Sequence, residues 1–443
     1  MGKSQYNPFI KHYDTIREIL RDFYIYGCYT RDYFSSNKAS GRKYDNERRR
    51  ILSYINKMHI AEKIRGHQKS ISLSYDMYSC TRNFLSDSFL SKSFSRNDIR
   101  LHFYLQQLLI ENASPMSLDE IVASLDALTK DLPYYNEGFD RNTVRRKLEK
   151  LVLEEVLETE KDKTKKLYKI SEDFFEDFES EELMDLLYAV EFFSNTASVA
   201  LPGYYAVDTL KNYIKQERNL SSFTEDIFMY KHNHLQRIIE DEIVWNLFEL
   251  IESSSLACFS YIKKHRNKKA NTEEYNTKIV KPLKIIIDFQ YGRQYLLCVE
   301  GSKSLLSFYR IDRIKNLKAY SDEKLQEKVE KVQVEHYDKC WCASFSSKAQ
   351  EDITTKVEVE FLFDEESKGY ILDRLKREGK WGELEKISQN KYLFTIEVTD
   401  PEEMLPWLRS FGEHVKVKAS DKHKLNEKLV DNWKELLIKY GDV

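Results

Sequence analysis

Residues 293–317, RQYLLCVEGSKSLLSFYRIDRIKNL, read as two strands joined by a Gly-Ser turn. The first strand is almost wholly apolar and the second begins that way. Then Arg310-Ile311-Asp312-Arg313 places two guanidinium groups around one carboxylate on a strand of buried character. In strict alternation Arg310 and Asp312 share a face with Phe308 while Arg313 points opposite, unless the strand bends at Asp312. Two readings stay open. Guanidinium forks on a rigid scaffold give bidentate recognition of phosphate or carboxylate. Alternatively, Asp312 pairs with one arginine and staples the strand to its neighbour.

Around this stretch the pattern is that of strands. LACFSYIKK and KIVKPLKIIIDF precede it, so residues 254–320 form a compact antiparallel β-unit long enough for a small Sm/SH3-like barrel. A charged connector follows over 321–349. From 350 to 443 strands and helices alternate, KVEVEFLF, KGYILDRLKRE, KYLFTIEV, PEEMLPWLRSF, HVKVKA and NEKLVDNWKELLIKY, which predicts a small ferredoxin-like α+β module. Upstream, 171–253 has helical spacing throughout and reads as a helical linker.

The first 170 residues repeat one order twice, helix, helix, longer basic helix, hairpin, which predicts tandem winged helix-turn-helix domains over 1–90 and 91–170. In the first, Tyr44, Ile51, Leu52 and Ile55 share one face of the third helix, and Asn46, Arg49 and Arg50 share the opposite one. Arg42 and Lys43 stand at its start. In the second, Ser117 with Glu120 is a capping box and Asp140 an N-cap. Val144, Leu148 and Leu151 anchor the helix FDRNTVRRKLEKL, leaving Arg141, Asn142, Arg145, Arg146 and Lys150 to point outward. Arg pairs two acceptors on guanine and Asn does the same on adenine, so such a helix suits the major groove. The hairpin tip carries Lys161, Lys163, Lys165 and Lys166, placed for backbone phosphate.

Charge follows this division. Residues 1–90 hold 16 Lys and Arg against 9 acids, whereas 171–210 hold ten acids and no base. A basic head beside an acidic collar is the signature of a polyanion-binding end. The acids at Glu172–Asp185 cannot face DNA. With 13 glycines and 7 prolines in 443 residues, regular elements dominate and no Gly-rich phosphate loop is visible. No apolar run is long enough to span a bilayer, and the N-terminus lacks a secretory core. Six scattered cysteines form no disulfide framework, so a reduced cytoplasm is expected. HYDKCWC holds His336, Cys340 and Cys342 without the C-x-x-C spacing of zinc. His232 and His234, two apart, face different ways. No Ser/His/Asp, Cys/His or paired-carboxylate set stands out, so neither enzymatic activity nor a cofactor is expected.

IVKPLKI, QYLLCVE and FYRIDRIKNL in succession resemble the WYL domain, a ligand-sensing β-barrel of bacterial regulators. Tyr261 fits the aromatic of its first strand, Lys281-Pro282-Leu283 its Pro-Leu turn, and Gln294-Tyr295-Leu296 its naming triplet. Tyr309 to Ile314 matches its Phe-Arg-Leu-Asp-Arg-Ile run. EEMLPWLRSFGEHVKV is similar to the C-terminal extension found beside many WYL domains, with Trp407-Leu408 and Phe411-Gly412 at the expected places. The proline usual after the last strand is absent near Ala419-Ser420. Together these similarities cover roughly 255–435, and winged-helix heads are common in this family. Gln294 replaces the family Trp, and Ser307 a frequent basic residue.

The resemblance implies a transcriptional regulator: winged helices on double-stranded DNA, and an anionic effector, nucleotide-like or nucleic acid, on Tyr261, Tyr295, Ser307, Arg310 and Arg313. A homodimer on a pseudo-palindrome is the usual solution for winged helices. The alternative is an accessory protein of a bacterial defence system that binds single-stranded nucleic acid and contacts an effector enzyme.

Overall fold

The computed structural model describes residues 13–24, 29–32, 40–74, 82–90, 96–112, 114–130, 138–162, 164–219, 227–231, 235–263, 274–289, 291–302, 305–332, 337–345, 354–419 and 424–441. Several expectations therefore lie outside the described residues: the stop at Gly27, most of a second helix over 30–36, Cys28, Cys80, Lys163, His232, His234 and His336. The chain divides into two compact units, 1–242 and 243–443. It is a mixed α and β protein with several small sheets.

The first unit contains two similar sets of elements, the second with one more described helix than the first. α1 (Tyr13–Tyr24), β1 (Tyr29–Thr30), α2 (Gly41–Tyr54), β2 (Ile60–Arg65) and β3 (Gln68–Leu73) are followed by α3 (Arg96–Glu111), β4 (Met116–Ser117), α4 (Leu118–Thr129), α5 (Arg141–Leu153), β5 (Leu157–Asp162) and β6 (Lys165–Ile170). Each set closes a three-stranded sheet in the same order, β1-β3-β2 and β4-β6-β5. Two-residue strands are too short to read from periodicity; tertiary pairing creates them. The β2–β3 turn is two residues, and Gly66 takes φ +59° there, a conformation that costs glycine little.

Sequence caps hold. Ser117 and Glu120 form the reciprocal capping box at α4, and Asp140 accepts from Thr143 N at 3.0 Å to start α5. Ile121, Leu125, Val144, Leu148 and Leu151 are fully buried in one core with Leu105 and Tyr168. The stretch after residue 171 is helical as expected: α6 (Ser180–Thr196), α7 (Leu201–Gln216) and α8 (Arg237–Glu252).

Within this unit, α8 meets α1 through ion pairs, Arg17–Glu242 at 3.1 Å and Arg21–Glu240 at 3.9 Å. Asp241 between them is wholly buried and accepts from the N–H of Ala200 and Leu201 at 2.9 and 2.6 Å. Its Oδ1 has no hydrogen-bond partner among the described residues. Burial pushes this carboxyl from 3.8 up to about 7. Between pH 4 and 7 the folded chain keeps a proton that the unfolded chain has released. Stability should therefore fall by about 1.4 kcal/mol per pH unit across that window and level off above it. Denaturant titrations at pH 4.5 and 7.5 should show the fall, and Asp241→Asn should remove it; an unchanged slope in the variant would assign the pH dependence elsewhere.

The second unit opens with β7 (Leu256–Lys263), β8 (Glu274–Asp288), β9 (Arg293–Glu300), β10 (Leu305–Arg310) and β11 (Ile314–Tyr320) in the order β10-β9-β8-β7-β11. Only the 3₁₀ turn Ile311–Arg313 separates the two edge strands. A flat sheet would hold those edges about 19 Å apart, at about 4.8 Å per step. Three residues in a 3₁₀ turn rise about 6 Å. The sheet must therefore roll. Tyr261 on β7 crosses the hollow, its ring 4.8 Å from that of Tyr309 and its hydroxyl accepting from Arg310 N at 3.4 Å. The expected barrel is corrected to a rolled, open sheet, because β10 and β11 exchange no ladder bonds. The second strand of the opening stretch also ends early, at Arg310, so alternation does not extend to Arg313.

The connector is not featureless: α9 (Glu323–Glu330), capped by Asp322, buries Val329 against Leu256 and Val299. Beyond it lie β12 (Thr355–Leu362), α10 (Glu365–Glu378), β13 (Glu383–Ser388), β14 (Lys391–Val398), α11 (Leu405–Arg409), β15 (Val415–Ala419) and α12 (Leu425–Tyr440). The sheet runs β13-β14-β12-β15, every pair antiparallel. The sequence reading lacked β13, an edge strand of largely polar residues. No described helix is long and apolar enough to cross a membrane.

Candidate nucleic-acid interface and ligand cleft

On α5 the three anchors point inward, and Arg141, Asn142, Arg145 and Arg146 are exposed, with Lys150 half-buried. Their restraints are weak. Arg141 donates to Asp119 at 2.8 and 3.0 Å, Arg145 lies 3.9 Å from Glu149, and Lys150 lies 3.6 Å from Glu154. Exposed pairs of this kind contribute about 0–1 kcal/mol, so a phosphate or base edge displaces them at small cost. Arg146 makes no ion pair with a described residue. Lys161, Lys165 and Lys166 stand exposed on the adjoining hairpin.

α2 is organised differently. Ser40 caps it, and Arg42, Lys43, Asn46 and Arg49 are exposed. Arg49 donates to Asn46 Oδ1 at 3.0 Å, so the two hold each other. Arg50 turns back to Glu47, itself buried, at 3.2 and 3.4 Å. Arg48 leans over the Tyr44 ring at 5.9 Å. The local acid at position 47 thus claims one of the cations that the sequence grouped. The eight acids of the collar, Glu172 to Asp185, are all exposed.

In the rolled sheet, register separates the residues that the sequence grouped. Paired residues of an antiparallel ladder share a face. Ile286, Tyr295 and Arg310 form one row across β8, β9 and β10, on the outer face with Phe308. Ser307 pairs with Cys298 on the opposite, inner face, where Tyr261 also lies. Tyr261 and Tyr295 therefore lie on opposite faces of the sheet. Arg310 spends its fork on Asp312, at 3.0 and 2.5 Å, with both groups mostly buried. Arg313 sits half-buried in the 3₁₀ turn without an ion pair among the described residues. Burial raises the Tyr295 phenol above its ordinary value, so it donates rather than ionises.

The Arg310–Asp312 fork carries a prediction. Arg310→Ala should lower stability by about 1–3 kcal/mol by leaving a largely buried carboxylate without its fork, and Asp312→Ala in the same chain should recover part of it. Unfolding of the two single variants and the double variant measures the coupling. A coupling near zero would free Arg310 for a ligand.

Sequence reasoning missed a cavity of about 690 Å³ beside this row, lined by Ile286 and Phe308 from the sheet and by residues of the connector and the C-terminal module. Its parts come from elements far apart in the chain, so no local motif announces it. Cys340 and Cys342 line it, but burial pushes their thiols up to about 11 and about 12. They are protonated, and no group of three metal-ligating side chains forms among the described residues.

Residues 355–436 match the family model of the WCX domain. That span contains the Trp407-Leu408 and Phe411-Gly412 pairs of the extension described above. No curated protein matches the chain. Among solved structures, a CRISPR Cas-related protein is 16% identical, with a TM-score of 0.33 over 81% of this chain and 92% of that one. The proteasome accessory factor B/C (PafBC) of Arthrobacter aurescens is 12% identical, with a TM-score of 0.24 over 89% of this chain and 63% of that one.

Proposed function

We propose that this chain is a DNA-binding transcriptional regulator with tandem winged helix-turn-helix heads and a C-terminal sensor half. One observation carries the reading. Two successive segments close three-stranded sheets in one order, and in each the helix before the hairpin buries an apolar face and turns cations outward. That is the geometry by which a helix enters the major groove while a hairpin lies along phosphate.

The WCX match supports placing a WYL-type sensor, with its ferredoxin-like extension, in the second unit. An anionic effector on Tyr295 and Arg313 is part of the reading, although Arg310 is already engaged. Effector binding would have to shift the heads by about 1–3 kcal/mol to regulate. A homodimer completes the reading; the exposed Val430, Trp433, Leu437 and Tyr440 on α12, spaced three and four apart, support it.

A gel shift with the DNA upstream of the chain's own gene tests this. Duplex binding that survives competitor DNA is the expected result. Tight single-strand binding without duplex preference would replace the regulator by the accessory nucleic-acid-binding protein of a defence system.

A further inference from the structure

We propose that the cavity beside the rolled sheet binds a planar aromatic ligand that is uncharged or cationic. The inference rests on the reading of the second unit as a sensor and gives it a second ligand, in a cavity whose lining includes neither Tyr295 nor Arg313.

The lining is dominated by rings. Phe289 and Phe308 come from the sheet, Tyr337 and Trp341 from the connector, and Trp381 and Trp407 from the C-terminal module. Three of the chain's five tryptophans are thus in one cavity. Phe289 is 80% exposed and Trp381 66% exposed, although each borders a cavity where a stacked ring would cover it. Leaving such surfaces in water is costly, and rings gain from offset or edge contacts with another ring. The deeper wall is rigid. The Trp341 and Trp407 centroids are 4.8 Å apart, and Trp407 Nε1 donates to Glu378 at 2.7 Å. A volume of about 690 Å³ falls within the range of sites for small organic ligands.

Charge narrows the class. Asp288, Asp338 and Glu378 line the cavity, against Arg374 as its one lining cation among the described residues. Arg374 spends four of its five N–H donors inside the protein. It donates twice to Glu378 at 2.9 Å, and to the Ser410 hydroxyl at 2.8 Å. The guanidinium in turn holds the Glu378 carboxyl below its usual value. Inside the lining a phosphate would meet three carboxylates and a guanidinium most of whose donors are already taken, with ammonium groups only at the rim. Ring faces do attract cations on this rim: Lys284 lies 4.7 Å over Tyr337 and Lys380 lies 5.1 Å over Trp381. A ligand that stacks on Trp381 takes the place of the Lys380 ammonium.

Calorimetric titration of the full chain with indole, N-methylquinolinium and adenosine monophosphate tests the proposal, with tryptophan fluorescence as a second readout. Saturable one-to-one binding of indole or N-methylquinolinium is expected, at least tenfold tighter than the nucleotide. Trp381→Ala and Phe289→Ala should each weaken it at least tenfold at unchanged melting temperature, since both rings are exposed. Tighter binding of the nucleotide, saturable binding of neither ring compound, or affinity unchanged in both variants would overturn the proposal. Duplex DNA binding is measured separately on the same protein. Loss of that activity would sink the regulator reading and leave the titration standing, and the reverse holds equally.

Discussion

Replacing Arg145 and Arg146 together by alanine is expected to weaken duplex DNA binding by about a hundredfold or more while leaving the melting temperature nearly unchanged. Each guanidinium that pairs with a base edge contributes about 1–3 kcal/mol, so losing two predicts an effect of that order. The folded state gives up little. Both side chains are exposed, Arg145 has only a 3.9 Å pair with Glu149, and the anchors Val144, Leu148 and Leu151 are untouched. Fluorescence anisotropy with a labelled duplex and a thermal melt read the two quantities separately. Unchanged affinity would remove α5 from the DNA interface.

Phe394→Ala is expected to cost about 3–5 kcal/mol in the C-terminal half, the largest stability effect of a single truncation considered. The ring is fully buried on β14 and lies 5.5 Å from that of Trp407. The backbone has been shaped around it: a Cβ at Gly379 or Gly382 would lie 2.8 or 2.4 Å from its ring carbons. Two glycines cannot collapse into the space that alanine leaves. Denaturant unfolding followed by tryptophan emission, which reports mainly on residues 341–433, should show an earlier transition. A change below about 1 kcal/mol would mean that this core repacks.

What could be read from the chain alone follows the range of the forces involved. Ser117, Glu120 and Asp140 act within one helical turn, so their caps were legible. The inward faces of α2 and α5 were legible from spacing. The partners of the cations were only half so. Glu47 is three residues from Arg50, yet its burial depends on the fold; Asp119 is 22 residues from Arg141. β13 escaped because an exposed edge strand needs no apolar alternation. The roll of the sheet was hidden in three residues, Ile311–Arg313, whose turn decides which of the two arginines stays on the outer face. The register shift in β8 between Pro282 and Lys284 puts Tyr261 and Tyr295 on opposite faces, which no count of motif matches reveals. The aromatic cavity was invisible because Phe308, Trp341, Trp381 and Trp407 reach it from separate elements.

The most direct test is the salt dependence of duplex binding by the unmodified protein. Six to ten phosphates neutralised per protomer predict a log–log slope of about −5 to −9 between 50 and 300 mM monovalent salt. A slope in that range, reduced by Arg145→Ala with Arg146→Ala, is the predicted result. Absence of duplex binding at 50 mM salt, or a slope near zero, would contradict the account.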